Sequence, residues 1–421
     1  MHGVRSSFRT LGFIPRWRRA CLLLAAGWLV VPPAFAQQPG EDAIVPFRIQ
    51  VPGSVLSDLK MRLNGTRLPD QLAGAGWNYG TDLDYLRQLT TYWRDQYDWR
   101  AQERRLNQLP QFTTKIDGLD IHFVHWRSGA PNALPLVMIH GWPGSFLEFV
   151  KISDLLVNPA RHGGRDADAF HVVAISLPGY GFSGRPREAG FSPERMGRVV
   201  ATLMKRLGYE RYGIQGGDWG SAVGRMAALN DAQHVAGLHL NFCTAGPPAG
   251  VANPNEGVPP AQLARVLERQ AAMQNELAYF QIQSTKPQTL GYGLNDSPAG
   301  LAAWIVEKFR AWCDCGGDVE RKFTKDELLN NVMLYWVTQT ITSSTRIYFE
   351  NRVAAAPQKK VQVPVACAIF PKDLLTSTEP WMSAQHNLVR WTDMPRGGHF
   401  AAMEEPELLA DDVRSFFRTL R

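Results

Sequence analysis

Apolar residues in the middle of the chain recur in short continuous runs, each followed by turn or polar residues. The runs cover residues 134–139, 170–176, 212–215 and 235–241. Between them, residues 196–207 and 221–228 carry apolar side chains at helical spacing. Continuous apolar runs are typical of strands that are buried on both faces. Their alternation with helices predicts a mostly parallel sheet that is flanked by helices.

The part of the chain before these runs has a different pattern. Residues 55–63 and 85–97 show apolar positions at helical spacing and are rich in Trp and Tyr. Residues 112–116 and 119–126 then flank Asp117-Gly118, which is a strong signal for a tight hairpin turn. We expect helices first and a β-hairpin next, with no evident chemistry in the helical part.

The alternation of strands and helices is interrupted once. A Pro/Gly-rich linker follows at 247–260, and residues 261–350 are helical in pattern. Strand signals resume at 363–370 and 388–392, and an amphipathic helix over 405–420 closes the chain. This predicts a leader (1–36), an N-terminal segment (37–125), a sheet domain in two parts (126–246 and 351–421) and a helical lid between them (247–350).

Most of the formal net charge of the chain comes from the predicted leader. The formal net charge is +6, but residues 1–36 hold five Arg and no acidic residue, which leaves 40 basic against 39 acidic side chains. A near-neutral remainder gives no electrostatic reason to expect nucleic acid or strong membrane binding. The apolar run at 20–31 and the small residues Ala34 and Ala36 predict cleavage before Gln37 and export to the periplasm or medium. An uncleaved membrane anchor stays open as the alternative, as does the export route.

Four cysteines remain beyond the leader, namely Cys243, Cys313, Cys315 and Cys367. Export permits disulfides, but this spacing predicts no framework. Cys313 and Cys315 lie too close in sequence for an easy mutual bridge. We interpret these residues as ordinary or weakly paired thiols.

A candidate nucleophile lies in the turn after the run 212–215. Residues 216–220 read GGDWG, so Asp218 has a glycine two positions before it and another two positions after it. This is the form of a nucleophile elbow, a tight strand-to-helix turn. The backbone amides of Trp219 and of Trp142, which lies in the loop after strand 134–139, are predicted to form an oxyanion hole. A solvated Asp in an ordinary turn is the alternative for this motif alone.

The base and its orienting acid are expected after later strands. His399 lies in the sequence RGGHF, between the last predicted strand and the closing helix. Asp373 follows strand 363–370, a usual position for the carboxylate that orients a base. Asp393 ranks second for this role, and we interpret His140 as structural. The chain order of nucleophile, acid and base is that of the α/β-hydrolase fold, which we predict with a lid insertion and an N-terminal wrapping segment.

Several motifs taken together resemble one family. They are TRLPD (66–70), GWNYG (76–80), WRAQE (99–103), HGWPGS (140–145), GGDWG (216–220), LNDSP (294–298) and GGHF (397–400). As a set they resemble the microsomal-type epoxide hydrolases, including insect juvenile-hormone epoxide hydrolases and bacterial relatives. The resemblance covers nearly everything after the leader and indicates a bacterial member. It implies that two lid tyrosines, Tyr279 and Tyr348, activate the epoxide oxygen. The family's acid is often Glu, where this chain has Asp373.

A carboxylate nucleophile also fits this chemistry on its own terms. Asp218 can attack a saturated carbon without first losing a proton to a base, and the resulting ester keeps a carbonyl that water can hydrolyse. A serine would leave a stable ether at that carbon. We therefore predict an epoxide hydrolase that takes a small hydrophobic epoxide and water to a vicinal diol. A haloalkane-type dehalogenase and a non-catalytic binding protein of the same fold are the alternatives. No cofactor or metal motif is found, and a homo-oligomer stays open.

Overall fold

The computed structural model describes residues 40, 42–354 and 359–421. The predicted leader, residues 1–36, lies outside the described residues. Inside them, no helix is both long enough and apolar enough to cross a membrane.

An N-terminal segment of one short strand and three helices wraps onto later parts of the chain. Its elements are β1 (Val45–Pro46), α1 (Gly53–Asn64), α2 (Leu83–Asp95) and α3 (Trp99–Leu106). The hydroxyl of Tyr97 donates to Asn330 Oδ1 at 2.6 Å, and the hydroxyl of Thr81 donates to the carbonyl of Ala303 at 2.8 Å. The segment, including one of the tyrosines that mark it in the sequence, is thus hydrogen-bonded to the helical insertion.

The first part of the sheet domain follows the predicted alternation closely. Its elements are β2 (Gln111–Ile116), β3 (Leu119–Trp126), β4 (Leu134–Ile139), α4 (Val150–Val157), β5 (Phe170–Ile175), α5 (Pro193–Arg206), β6 (Tyr212–Gly216), α6 (Trp219–Asn230) and β7 (Val235–Leu240). Short 3₁₀ helices lie at Phe146–Phe149, Pro159–His162 and Asp166–Asp168. Asp117 and Gly118 both have positive φ, at 53° and 73°, which is the conformation of a type I′ hairpin turn.

The helical insertion and the rest of the sheet complete the chain. The insertion contains α7 (Pro260–Met273), α8 (Ala278–Thr285), α9 (Pro287–Asp296), α10 (Pro298–Trp312), a 3₁₀ turn (Val319–Arg321), α11 (Lys325–Thr338) and α12 (Ile341–Val353). It is followed by β8 (Val361–Ile369), α13 (Glu379–Gln385), β9 (His386–Asp393), α14 (Ala401–Glu404) and α15 (Pro406–Arg418).

The described strands form one nine-stranded sheet in the order β1-β2-β3-β5-β4-β6-β7-β8-β9. The pairs β1–β2, β2–β3 and β3–β5 are antiparallel. All the later pairs in this order, from β5–β4 to β8–β9, are parallel. Ile139 pairs with Gly216, and Gly216 pairs with Leu240. The central strands thus end level with one another, so the loops after β4, β6 and β7 share one edge of the sheet. Doubly wound sheets bind ligands at this carboxyl edge.

The interpretation of the cysteines as ordinary or weakly paired thiols is wrong. Cys243 is bonded to Cys367, and Cys313 is bonded to Cys315. Leu240, at the end of β7, pairs with Cys367 in β8, and this register brings Cys243 and Cys367 to a Cα separation of 6.3 Å. Strand adjacency of this kind is not visible in sequence spacing. The short turn after α10 brings the other pair to a Cα separation of 5.2 Å.

Candidate active site

The turn between β6 and α6 has the backbone of a nucleophile elbow. Asp218 has φ 49° and ψ −129°, which is a rare conformation for a residue with a side chain. The glycines around it allow close passage of the backbone. A Cβ on Gly216 would lie 2.3 Å from the carbonyl oxygen of Gly220, and a Cβ on Gly220 would lie 1.8 Å from that of Ile139. The GGDWG motif therefore presents the Asp218 side chain at the carboxyl edge of the sheet.

His399 connects the two predicted carboxylates. Its Nδ1 lies 2.6 Å from Oδ1 of Asp373, and its Nε2 lies 3.3 Å from Oδ2 of Asp218. The amide of Leu374 donates to Oδ1 of Asp373 at 2.7 Å and so helps to fix that carboxylate. The amide of His399 itself donates to the carbonyl of Trp312 at 2.9 Å, which ties the loop to the end of α10. The structure thus brings together the three residues that the sequence proposed as a triad.

One of the two amides predicted for the oxyanion hole contacts the candidate nucleophile. The amide of Trp142 donates to Oδ1 of Asp218 at 2.8 Å. Oδ2 of Asp218 lies on the other side, 3.3 Å from Nε2 of His399. No hydrogen bond joins the amide of Trp219 to this carboxylate within the described part of the chain. The role of Trp219 in an oxyanion hole stays a prediction.

Charge pairing controls the protonation of the histidine. Burial acts to lower the pKa of His399, but the carboxylates of Asp373 and Asp218 together raise it well above its ordinary value. Burial raises the pKa of Asp373, and the charge of His399 opposes that shift. The pairing therefore favours a charged imidazole beside the two carboxylates, and a carboxylate must be ionised to act as a nucleophile.

Aromatic rings cover the carboxyl edge from the lid side. Tyr279 in α8 and Tyr348 in α12 are both buried, and the ring of Trp142 lies 5.5 Å from the first and 5.9 Å from the second. Trp219 packs edge-on against Tyr348 at 4.8 Å. The Tyr348 hydroxyl is buried without a hydrogen-bond partner among the described residues. Burial raises the pKa of both phenols, so both remain protonated and able to donate.

Two other residues considered in the sequence lie outside this arrangement. The exposed Asp393 ends β9 and forms an ion pair with Arg265 at 2.5 Å. His140 is buried, accepts a hydrogen bond from the amide of Leu177 at 3.2 Å, and has its pKa lowered to about 4 by burial. A neutral, hydrogen-bonded imidazole fits the structural interpretation of His140.

Two carboxylates near the site were not identified from the sequence. Glu404 in α14 accepts hydrogen bonds from the amides of Gly398, Phe400 and Asp314 and so holds the His399 loop. Glu148 lies in the 3₁₀ helix at Phe146–Phe149 and, with Asp218 and His399, lines a small cavity. The available signal for Glu148 was a single charged residue inside the apolar sequence FLEF, and that signal does not indicate which atoms it faces.

These features define the class of protein. A parallel sheet with a carboxylate on the elbow, a histidine after the last strand and a helical lid is an α/β-hydrolase-fold protein. Residues 135–295 match the family described as alpha/beta hydrolase fold, and residues 44–149 match the one described as Epoxide hydrolase N terminus. The chain belongs to the epoxide hydrolase family, in its microsomal-type branch.

Individual relatives support the same family. Epoxide hydrolase 1 of Sus scrofa is 40% identical, and the match covers 97% of each chain. The crystal structure of juvenile hormone epoxide hydrolase from the silkworm Bombyx mori matches with a TM-score of 0.84 and 34% identity, over 90% of this chain and 95% of that one. The structure of Aspergillus niger epoxide hydrolase gives a TM-score of 0.80 and 35% identity, over 90% and 97%. The comparisons therefore favour an epoxide hydrolase over a haloalkane-type dehalogenase.

Proposed function

We propose that this epoxide hydrolase opens a small hydrophobic epoxide through a covalent ester on Asp218. The observation that carries this proposal is the position of His399 between Asp373 and Asp218, at 2.6 Å and 3.3 Å. The aromatic lining from Trp142, Tyr279 and Tyr348 favours an apolar substrate with one polar acceptor.

In the first step, Oδ2 of Asp218 attacks an epoxide carbon and the carbon–oxygen bond of the ring breaks. The ring oxygen takes a proton from Tyr279 or Tyr348, because an unassisted alkoxide is a poor leaving group. Oδ1 remains the carbonyl oxygen and keeps its hydrogen bond from the Trp142 amide. The product of this step is a hydroxyalkyl ester of Asp218.

In the second step, water hydrolyses that ester. Esterification removes the negative charge of Asp218, which is one of the two charges that raise the pKa of His399. The imidazole can then give up its proton, which restores the phenol that was deprotonated in the first step, and it can serve as a base that Asp373 orients. Water attacks the ester carbonyl while His399 Nε2 takes its proton, and the Trp142 amide stabilises the oxyanion, with Trp219 as the proposed second donor. The diol leaves and Asp218 is regenerated.

We also propose that the enzyme acts outside the cytoplasm, where it detoxifies epoxides without firm attachment to the membrane. The support is the sequence of residues 1–36, with its arginines, apolar run and small residues before Gln37. N-terminal sequencing of the exported protein is expected to begin at Gln37. An intact leader in the membrane fraction would contradict this proposal.

The reaction is tested with Asp218→Ala on a panel of aryl, alkyl and terpenoid epoxides. We expect diol formation to fall by at least about 10⁴-fold, because the variant has no nucleophile. Asp393→Ala is the matched control, since Asp393 is an exposed carboxylate away from the site, and it is expected to keep normal activity. Diol formation by Asp218→Ala within tenfold of the parent enzyme would contradict the covalent route.

A further inference from the structure

A small cavity adjoins the reacting atoms on the side of the sheet. Its lining includes the polar residues Asp218, His399, Glu148, Gln215 and Asn241, together with Gly144 and other small or apolar residues. The centre of a water molecule can occupy about 10 Å³ of this cavity. One bound water requires roughly 10–15 Å³ of such space and several polar partners. The cavity has the size and polarity for one water.

The cavity lies on the correct side of the histidine for ester hydrolysis. His399 Nδ1 is engaged by Asp373, so Nε2 is the nitrogen that can accept a proton, and Nε2 faces Asp218 at 3.3 Å. A water in the cavity would therefore lie next to both the base and the carbon that it must attack. The lid tyrosines do not line this cavity, which separates it from the epoxide oxygen.

The local backbone is shaped to bring the carboxyl group of Glu148 to this place. Glu148 follows the HGWP loop by one turn of 3₁₀ helix, and its carboxyl group extends back over Gly144. A Cβ on Gly144 would lie 1.6 Å from Glu148 Oε1 and 2.6 Å from its Cδ. A side chain at position 144 would therefore displace the carboxyl group from this place. No side chain of the described residues pairs with it in a salt bridge or hydrogen bond.

The charges around Glu148 change during the reaction. Burial raises the pKa of Glu148 to about 8; protonated His399 opposes this shift and ionised Asp218 adds to it. Once Asp218 is an ester its negative charge is gone, and the proton that His399 then gives up removes the opposing positive charge, so the two changes offset each other at Glu148. Its carboxyl oxygen can accept a hydrogen bond from water in either protonation state.

We propose that Glu148 holds the hydrolytic water in this cavity, accepting a hydrogen bond from it while His399 Nε2 accepts the proton that it loses. This deepens the proposed function and rests on it. The water oxygen bonds to the carbonyl carbon of the Asp218 ester, and its proton passes to His399. The tetrahedral intermediate then breaks its bond to the substrate oxygen, which receives the proton from His399. The second water hydrogen remains on the Asp218 carboxyl, hydrogen-bonded to Glu148, until that carboxyl passes it to His399 Nε2 and the starting ion pair is restored.

Single-turnover kinetics separate this role from a structural one. In Glu148→Gln we expect the ester on Asp218 to form within about threefold of the normal rate. Its hydrolysis is expected to slow by roughly 10- to 100-fold, because a misplaced reactant costs about that much. The ester then accumulates, as followed by rapid quenching and mass spectrometry of the intact protein. A structural role would slow both steps together or neither.

Gly144→Ala provides a matched variant that leaves the carboxylate in the chain but displaces it. We expect the same slow hydrolysis, and we expect Gly144→Ala with Glu148→Gln to be no slower than either single variant, because both act on one contact. The proposal would be overturned if the double variant slowed hydrolysis by the product of the two single effects. It would also be overturned if Glu148→Gln hydrolysed the ester at the normal rate. Absence of any ester on Asp218 in the parent and the variants would instead contradict the covalent route itself.

Discussion

The carboxyl edge of the sheet and the lid meet at one site but hold their side chains in different ways. At the sheet edge, Asp218 and His399 are fixed by hydrogen bonds, to the Trp142 amide and to Asp373. In the lid, Tyr348 is fixed by ring packing, and its hydroxyl has no partner among the described residues. Asp218 and His399 are thus hydrogen-bonded before substrate arrives, whereas the Tyr348 hydroxyl still lacks an acceptor.

This difference assigns the two regions to two steps. At the sheet edge Asp218 acts in both steps, whereas its partners act only in hydrolysis of the ester, and the lid phenols act only when the epoxide ring opens. Loss of a sheet-edge partner should therefore affect hydrolysis, and loss of a phenol should affect alkylation. The following variants test this division.

The largest expected effect comes from Asp373→Asn. The change keeps the shape of the side chain but removes the charge that orients and stabilises His399, and the equivalent loss in a serine protease triad costs about 10⁴-fold. We expect hydrolysis of the ester to slow by about 10³- to 10⁴-fold, with alkylation affected far less. Single-turnover measurement of both steps checks this. Equal loss in the two steps would break the proposed division.

The lid is tested with Tyr279→Phe, Tyr348→Phe and the double variant. Removing a positioned proton donor costs about 10²- to 10⁴-fold, so the double variant should lose that much in alkylation and each single variant less. The rings remain, so the packing on Trp142 should be kept. Hydrolysis of ester already formed should proceed at its normal rate. A slower hydrolysis step would show that the phenols also serve the sheet edge.

The smallest effect is expected from Glu404→Gln, which sharpens the comparison within the sheet edge. The carboxylate of Glu404 accepts hydrogen bonds from three backbone amides around the His399 loop. Glutamine at this position would place an NH₂ group against one of these amides. We expect the free energy of unfolding to fall by about 1–3 kcal/mol in urea titration. Unchanged stability would mean that the loop is held mainly by other contacts, such as the bond from the His399 amide to Trp312.

The sequence predicted those parts of the molecule that depend on local pattern. The strand 119–126 and the run 134–139 match β3 and β4 residue for residue, because apolar runs and hairpin turns are local signals. The elbow was found from glycine spacing around Asp218. Asp373 and His399 were found from their positions after predicted strands, since parallel strands end at one edge.

What the sequence did not predict depends on contacts through space. The Cys243–Cys367 bond follows from the register of β7 against β8. The place of Glu148 follows from the absence of a Cβ at Gly144, four residues earlier, and not from any periodic pattern. The packing of Trp312 against His399 joins a lid helix to a loop 87 positions further along the chain, as the ring contact at 5.3 Å shows.

The most direct test of the central claim is mass spectrometry of His399→Gln after incubation with an epoxide. This variant keeps the nucleophile but has no base, so the ester should form and persist. We predict a mass increase equal to that of the epoxide, located on a peptide that contains Asp218. A label on any other residue, or no label while diol is still produced, would contradict the claim that Asp218 is the covalent nucleophile.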